Sequence, residues 1–226
     1  LDQPTAVETD KTVTRREPWP LWLHFVVVLG LQAAYAWWYV HSPWLRAAIL
    51  VPSTVRLVFW TLPVLVFLAL ERRPILGSLR MRDNAFRGMA WGGAIGALIL
   101  IANAVAQCAF RGSCRMNFHF GLHLWVGPVA LVGLSEKVLF RGFFLQKLSD
   151  RMGFARSNCL QALLFLLIHF PGWILMGQFH FPAILRPVAN VLFIALFNGW
   201  ILRRTRSLWA CMIIHSFNNL ATFANR

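Results

Sequence analysis

Acidic side chains are scarce in this sequence: Asp and Glu total 8 against 22 Lys and Arg, and charged residues make up only 13% of the 226 positions. Soluble domains carry about 25%. With 58% hydrophobic residues, 11 Trp and 19 Phe, the shortage argues against a soluble fold and for an all-α, polytopic membrane helix bundle. Cysteine is sparse too. The four cysteines, at 108, 114, 159 and 211, make no CxxC or zinc-ribbon spacing, and none stands in a recognisable catalytic context. Cys108 and Cys114 flank the "AFRGS" turn and can pair if that face is oxidising; two free thiols are the alternative. Cys159 and Cys211 read as small packing residues. Internal repeats and low-complexity segments are absent. The formal net charge of +14 would suggest a nucleic-acid partner in a soluble protein. Here the basic residues fall between apolar runs, so topology and lipid headgroups account for them, and no nucleic acid is expected.

What is present is a series of apolar segments near the roughly 20-residue length that spans a bilayer. Seven lie near 20–40, 47–70, 88–110, 117–145, 157–176, 184–202 and 207–224, and an eighth crossing arises if 171–186 re-enters. The segment at 47–70 is interrupted by Arg56, and the fourth is long enough to tilt or project. Residues 1–18 are polar, mixed in charge, and read as a disordered tail; 19–226 read as one integral membrane domain. Ala34-Tyr35-Ala36 mimics a signal-peptide cleavage site, but the run continues as "WWYV", which suits an interfacial anchor.

Orientation follows from the loops. Lys11, Arg15, Arg16, Arg72, Arg73, Arg80, Arg82, Arg87, Lys147, Arg151, Arg156, Arg203, Arg204 and Arg206 fall on one side. Arg46, Arg111, Arg115, Arg186 and Arg226 fall on the other, a split of 14 to 5, with Arg56, Lys137 and Arg141 completing the 22. By the positive-inside rule the N-terminus is cytoplasmic and the C-terminus is outside.

One acid stands apart. Seven lie in the tail or loops, and Glu136, in "SEKVLFRG", lies within an apolar segment. An intramembrane charge costs roughly 2.5–3.5 kcal/mol on insertion scales, and so faces a protein interior and usually serves a function. A helical rise of about 1.5 Å per residue puts Glu136 ~15 Å, His169 ~18 Å, His215 ~12 Å and Asn219 ~18 Å from the same face. A purely structural ion pair of Glu136 with Lys137 or Arg141 would not predict that convergence. His215 and Asn219 are four apart and share a stripe, as do Phe165 and His169, which sets the Phe beside the imidazole. Asn218 lies off the stripe.

The chemistry open to this set is narrow. No second buried acid exists for a Ser-His-Asp set or an aspartyl pair. A Glu with a His can deprotonate water held in a dry pocket, and a second His with an Asn can donate to a developing oxyanion. Together they describe water attack on a carbonyl, most simply a peptide bond, with no metal or other cofactor expected. His119 and His123 form an i,i+4 pair that suggests a rival, a metal-dependent membrane hydrolase. They lie toward the outer end of their helix, ~20 Å from Glu136 by helical rise.

"EKVLFR" at 136–141, "FLLIH" at 165–169 and "HSFNN" at 215–219 resemble the three motifs of the CAAX protease and bacteriocin-processing (CPBP, or Abi) family of glutamic intramembrane proteases. That family includes the Rce1-type prenyl-protein endopeptidases. Its pattern is Glu-Glu-x-x-x-Arg, then Phe-x-x-x-His, then His-x-x-x-Asn/Asp, and the likeness spans about 127–224. It implies Glu136 as the catalytic carboxylate and His169 as its partner in activating water. His215 and Asn219 would stabilise the oxyanion, and Arg141 would be structural. It further implies a protein or peptide substrate with a membrane-associated segment, and an integral protein of the bacterial cytoplasmic membrane. The second Glu is here Lys137, so like charges face each other at 137 and 141. Arg141 must then find a carbonyl acceptor or snorkel toward the headgroups. A catalytically altered scaffold or immunity protein on the same fold is the alternative that Lys137 raises.

Overall fold

The computed structural model describes residues 19–43, 50–112 and 115–224. The 1–18 tail, Arg46, Cys114 and Arg226 lie outside these. Among the described residues the secondary structure is entirely helical. Helix α1 spans Trp19–His41. Helix α2 is continuous, α-helical over Leu50–Arg56, π-helical over Leu57–Thr61 and α-helical over Leu62–Leu70. A short α3 (Ile75–Ser78) leads to α4 (Ala85–Arg111). Helix α5 is the long one predicted: it runs from Leu122 to Met152, with π-helical stretches at Trp125–Leu131 and Val138–Phe144. After it come α6 (Phe154–Leu167), α7 (Phe170–Leu175), α8 (Leu185–Thr205) and α9 (Leu208–Ala224).

Among the described residues six spans are long and apolar enough to cross a membrane: 21–41, 53–70, 85–110, 122–152, 154–175 and 185–205. The seventh expected segment is α9, whose 17 residues reach ~26 Å by helical rise. Residues 171–186 do not form an eighth span; they hold all but the first residue of α7, a run of turns and the start of α8. One boundary is corrected. The helix expected from 117 begins at Leu122, because Gly121 is extended (φ −62°, ψ 156°) and the Asn117 side chain accepts from the His119 amide at 2.9 Å. His119 is therefore an exposed loop residue, and the i,i+4 relation with His123 is lost. The segment expected near 157–176 is present as the span 154–175, broken by a turn after Leu167, since Pro171 has no N–H to give the carbonyl four residues back.

Helix α5 is the axis of the bundle. Its residues 135–144 are buried on every side, and Leu139, Phe140, Phe143 and Phe144 pack with Trp60 and Val64 of α2, Phe165 of α6, Ile201 of α8 and Ile214 of α9. The chain reverses from α5 into α6 at Gly153, whose φ of +77° suits a residue without Cβ. The basic loops gather at one end. There Lys147 donates to Glu71 at 2.6 Å, Arg80 to Gln146 at 2.8 Å, and the Leu208 amide to the Arg80 carbonyl at 2.9 Å. At the opposite end the Asn117 amide meets the Ala224 carbonyl at 2.9 Å. Cys108 is disulfide-bonded, and Cys159 and Cys211 are free.

Helix α9 is held at its height by a stripe of small residues on α4. Gly88, Gly92 and Gly96 recur every four positions and face α9: a Cβ at Gly88 would meet the Ser207 side chain, one at Gly92 would lie 2.9 Å from Ile213 Cβ, and one at Gly96 2.5 Å from the Phe217 ring. Such stripes let backbones approach closely where no hydrophobic force drives association. Gly93, on another face, has open space. Gly92→Val should therefore lower thermal stability by an overpacking cost of about 1–3 kcal/mol, whereas Gly93→Val should be near neutral. Melting of the detergent-purified variants checks this, and equal melting temperatures would show that α4 does not clamp α9.

Candidate active site

Glu136 sits one residue before the end of the α-helical stretch Val132–Lys137, where α5 passes into its second π-helical stretch. Such passages are rare and often mark functional sites. The carboxylate is 5% exposed and faces three nitrogens: His215 Nε2 at 3.1 Å and Lys137 Nζ at 3.6 Å from Oε2, and Arg56 Nη1 at 3.7 Å from Oε1. His215, on α9, is buried, and its Nδ1 has no hydrogen-bond partner among the described residues.

His169 occupies the break between α6 and α7, so the Pro171 interruption is what frees this residue from a regular helix. Its Nδ1 lies 2.7 Å from the Phe165 carbonyl. A carbonyl only accepts, so Nδ1 carries the proton and Nε2 of the neutral ring keeps its lone pair. The ring packs against Phe165 at 4.8 Å and Trp173 at 5.5 Å, and it interacts electrostatically with Glu136. Asn219, one turn beyond His215 on α9, donates from Nδ2 to the Pro128 carbonyl at 2.8 Å. Pro128 lies inside the first π-helical stretch of α5. One of the two N–H groups of Asn219 is thus committed to holding α9 against α5, and the other remains to donate.

Lys137 and Arg141 are fully buried and lie over the ring of Phe165, with Nζ 4.8 Å and the guanidinium carbon 4.4 Å from its centroid. Arg141 neither snorkels nor finds a carbonyl: its three side-chain nitrogens have no hydrogen-bond partner among the described residues, and neither has Lys137 Nζ. The π face takes the place of the expected acceptor. Phe165 thus packs against His169 and both cations.

Arg56 is the residue that the motif reading leaves out. It reaches Glu136 from α2, and its guanidinium lies 5.6 Å from the centroid of Trp60. Its signal in the sequence is its position, a lone cation in an apolar run, which by depth cost alone marks a functional candidate. His119 and His123 are exposed and take no part, and no group of three or more His, Cys, Asp or Glu placed to hold a metal occurs among the described residues. Two cavities, of about 930 and 730 Å³, open among the basic helix ends near Arg203 and Arg206 and are lined by none of the residues named for this site.

The two buried cations make a test of what holds this region. Among the described residues Lys137 has only its 3.6 Å approach to Glu136 and the Phe165 face, while Glu136 keeps His215 and Arg56 without it. Removing one partner of a buried ion pair is costly when it leaves the other charge uncompensated, but Glu136 keeps two other nitrogens, and the change also takes a like charge away from Arg141. Lys137→Met should leave the melting temperature unchanged or raised, and Phe165→Ala should destabilise by about 3–5 kcal/mol. A large loss in Lys137→Met would show that its charge is needed for the fold.

Residues 118–221 match the family model of the type II CAAX prenyl endopeptidases, Rce1-like. The matched segment contains all three motifs, and it agrees with the resemblance drawn from them. No curated protein and no solved structure matches the chain. The match, with six helices able to cross a membrane, supports an integral membrane protein with a CAAX-protease type of function.

Proposed function

We propose that the protein is an intramembrane glutamic endopeptidase that hydrolyses a peptide bond of a membrane-associated or membrane-anchored protein or peptide. The observation that carries this reading is the buried carboxylate of Glu136 lying 3.1 Å from one imidazole, with a second imidazole nearby whose Nε2 keeps its lone pair. Glu136, aided by His169 Nε2, takes a proton from water, and the hydroxide oxygen attacks the scissile carbonyl carbon. The electron pair of the C=O bond moves to its oxygen. His215 Nε2–H and the remaining N–H of Asn219 donate to that oxyanion. The resting contact between His215 and Glu136 fits this order of events. Once Oε2 carries the proton it attracts the imidazole less, and the same N–H turns to the oxyanion. Collapse breaks the C–N bond, and the proton held on Glu136 passes to the leaving amine.

Glu136→Gln keeps size and hydrogen bonding but removes the proton acceptor. Processing, normalised to inserted protein, should fall by ~10²–10⁴-fold, the usual worth of general-base catalysis. His169→Ala should cost a similar factor, and the two losses should not add, because both groups act on one water. Unchanged processing or phenotype in Glu136→Gln would replace the protease by a scaffold or immunity protein on the same fold.

The grouping of the basic loops at one end of the bundle supports an N-terminus inside the bacterial cytoplasmic membrane, with the catalytic groups in the cytoplasmic half. A reporter fused after Arg206 should be active in the cytoplasm, and one fused after Arg226 only outside. Cytoplasmic activity at both sites would overturn this topology.

A further inference from the structure

The proposed site is cationic. At formal charges Arg56, Lys137 and Arg141 set three positive groups around the single carboxylate of Glu136. One surplus positive charge remains even if Lys137 is neutral. In a low-dielectric interior such a surplus attracts an anion. The three cations are not equally placed to meet one. Lys137 and Arg141 have side chains closed off and packed on Phe165. Arg56 is 27% exposed and touches Glu136 at the same time, so it joins the carboxylate to the surroundings.

Arg56 also has unused donors. Its contact with Glu136 is 3.7 Å, longer than a hydrogen bond, and its Nε is buried with no partner among the described residues. The hydroxyl of Tyr35, on α1, is another buried donor without a hydrogen-bond partner among the described residues, and it lies within range of the Arg56 charge. The π-helical stretch of α2 starts at the next residue, Leu57, and Trp60 within it is 2% exposed and packs on Phe140 at 6.3 Å. An irregular turn backed by a packed indole holds the guanidinium beside the carboxylate.

Resting on the protease reading, we propose that Arg56 is a specificity-determining residue that binds a carboxylate of the substrate flanking the scissile bond. The planar fork of a guanidinium matches the two oxygens of a carboxylate. In the resting state Glu136 occupies part of that fork. An incoming carboxylate takes the Nε and Nη donors and accepts from Tyr35, and Glu136 is released toward the water. The carboxylate comes either from an acidic side chain or from a free C-terminus.

The test uses the full chain in nanodiscs and palmitoylated fluorogenic peptides in matched pairs. One series scans a Glu against a Gln on either side of the cleaved bond, and another ends in a carboxylate against an amide. Both kcat/KM and the Kd of the labelled peptide are read. The carboxylate member of a pair should bind about tenfold or more tighter, and the series that shows it identifies the source. Arg56→Gln should abolish the preference, Arg56→Lys should keep part of it, and Arg56→Glu should shift it to peptides with Lys at the same position. Equal binding of carboxylate and neutral peptides by the unaltered protein overturns the inference, as does a preference that survives Arg56→Gln. Binding that prefers carboxylates through Arg56 with no cleavage of any peptide sustains the inference and removes the protease reading instead.

Discussion

A carboxylate placed in an apolar bundle has to be compensated by neighbours, and much of this structure can be read as the means of doing so for Glu136. Neither lipid nor a purely aliphatic core supplies what water would, so cations and imidazoles must come from other helices. Helix α2 brings Arg56, α9 brings His215, and the broken helix after α6 brings His169. The requirement that these arrive at one level explains features that are otherwise unrelated. The glycine stripe on α4 fixes how closely α9 approaches, the Asn219 contact with Pro128 ties α9 to α5 one turn beyond His215, and Pro171 interrupts the helix where an imidazole is wanted.

The irregular helices belong to the same account. Helix α5 has two π-helical stretches and α2 has one: the first holds Pro128, the second begins two residues after Glu136, and that of α2 begins directly after Arg56. A wider turn changes the direction in which following side chains leave the helix. In an apolar environment, backbone groups released by such a turn must be satisfied inside the protein, and the Pro128 carbonyl meets that condition through Asn219.

Much of this was legible beforehand, and the rest was hidden for identifiable reasons. The i,i+4 stripes and the helical rise predict one depth for Glu136, His169, His215 and Asn219, because helix geometry is local, and the structure sets His215 3.1 Å from Glu136. What a side chain touches across helices is not local. Arg56 stands out as a lone cation, but no spacing rule says that it reaches Glu136 rather than the headgroups. Arg141 lacks its expected acidic neighbour, and sequence offers a carbonyl or the interface as substitutes; that a phenylalanine 24 positions away would serve both it and Lys137 depends on how α5 and α6 pack. Gly88, Gly92 and Gly96 are visible as a repeat of small residues, yet the helix they face is not. His119 shows the opposite failure, where periodicity suggested a helical pair and the extended Gly121 ended the helix first.

Magnitudes decide what Glu136 is to the fold as well as to the chemistry. A cation–π contact is worth about 0.5–1 kcal/mol when exposed and about 2 or more when desolvated, whereas each charge within the apolar layer costs roughly 2.5–3.5 kcal/mol to insert. Phe165 therefore offsets a part of the burial of Lys137 and Arg141 and leaves a remainder. Among the described residues the opposite charge beside this cluster is that of Glu136, 3.6 Å from Lys137 and 3.7 Å from Arg56. It stabilises the cations as much as they stabilise it. Removing its charge thus takes away a proton acceptor and also leaves three cations without a counter-charge. Loss of activity and loss of inserted protein must accordingly be measured apart, and only the share of lost turnover that remains after correction for inserted protein speaks to catalysis.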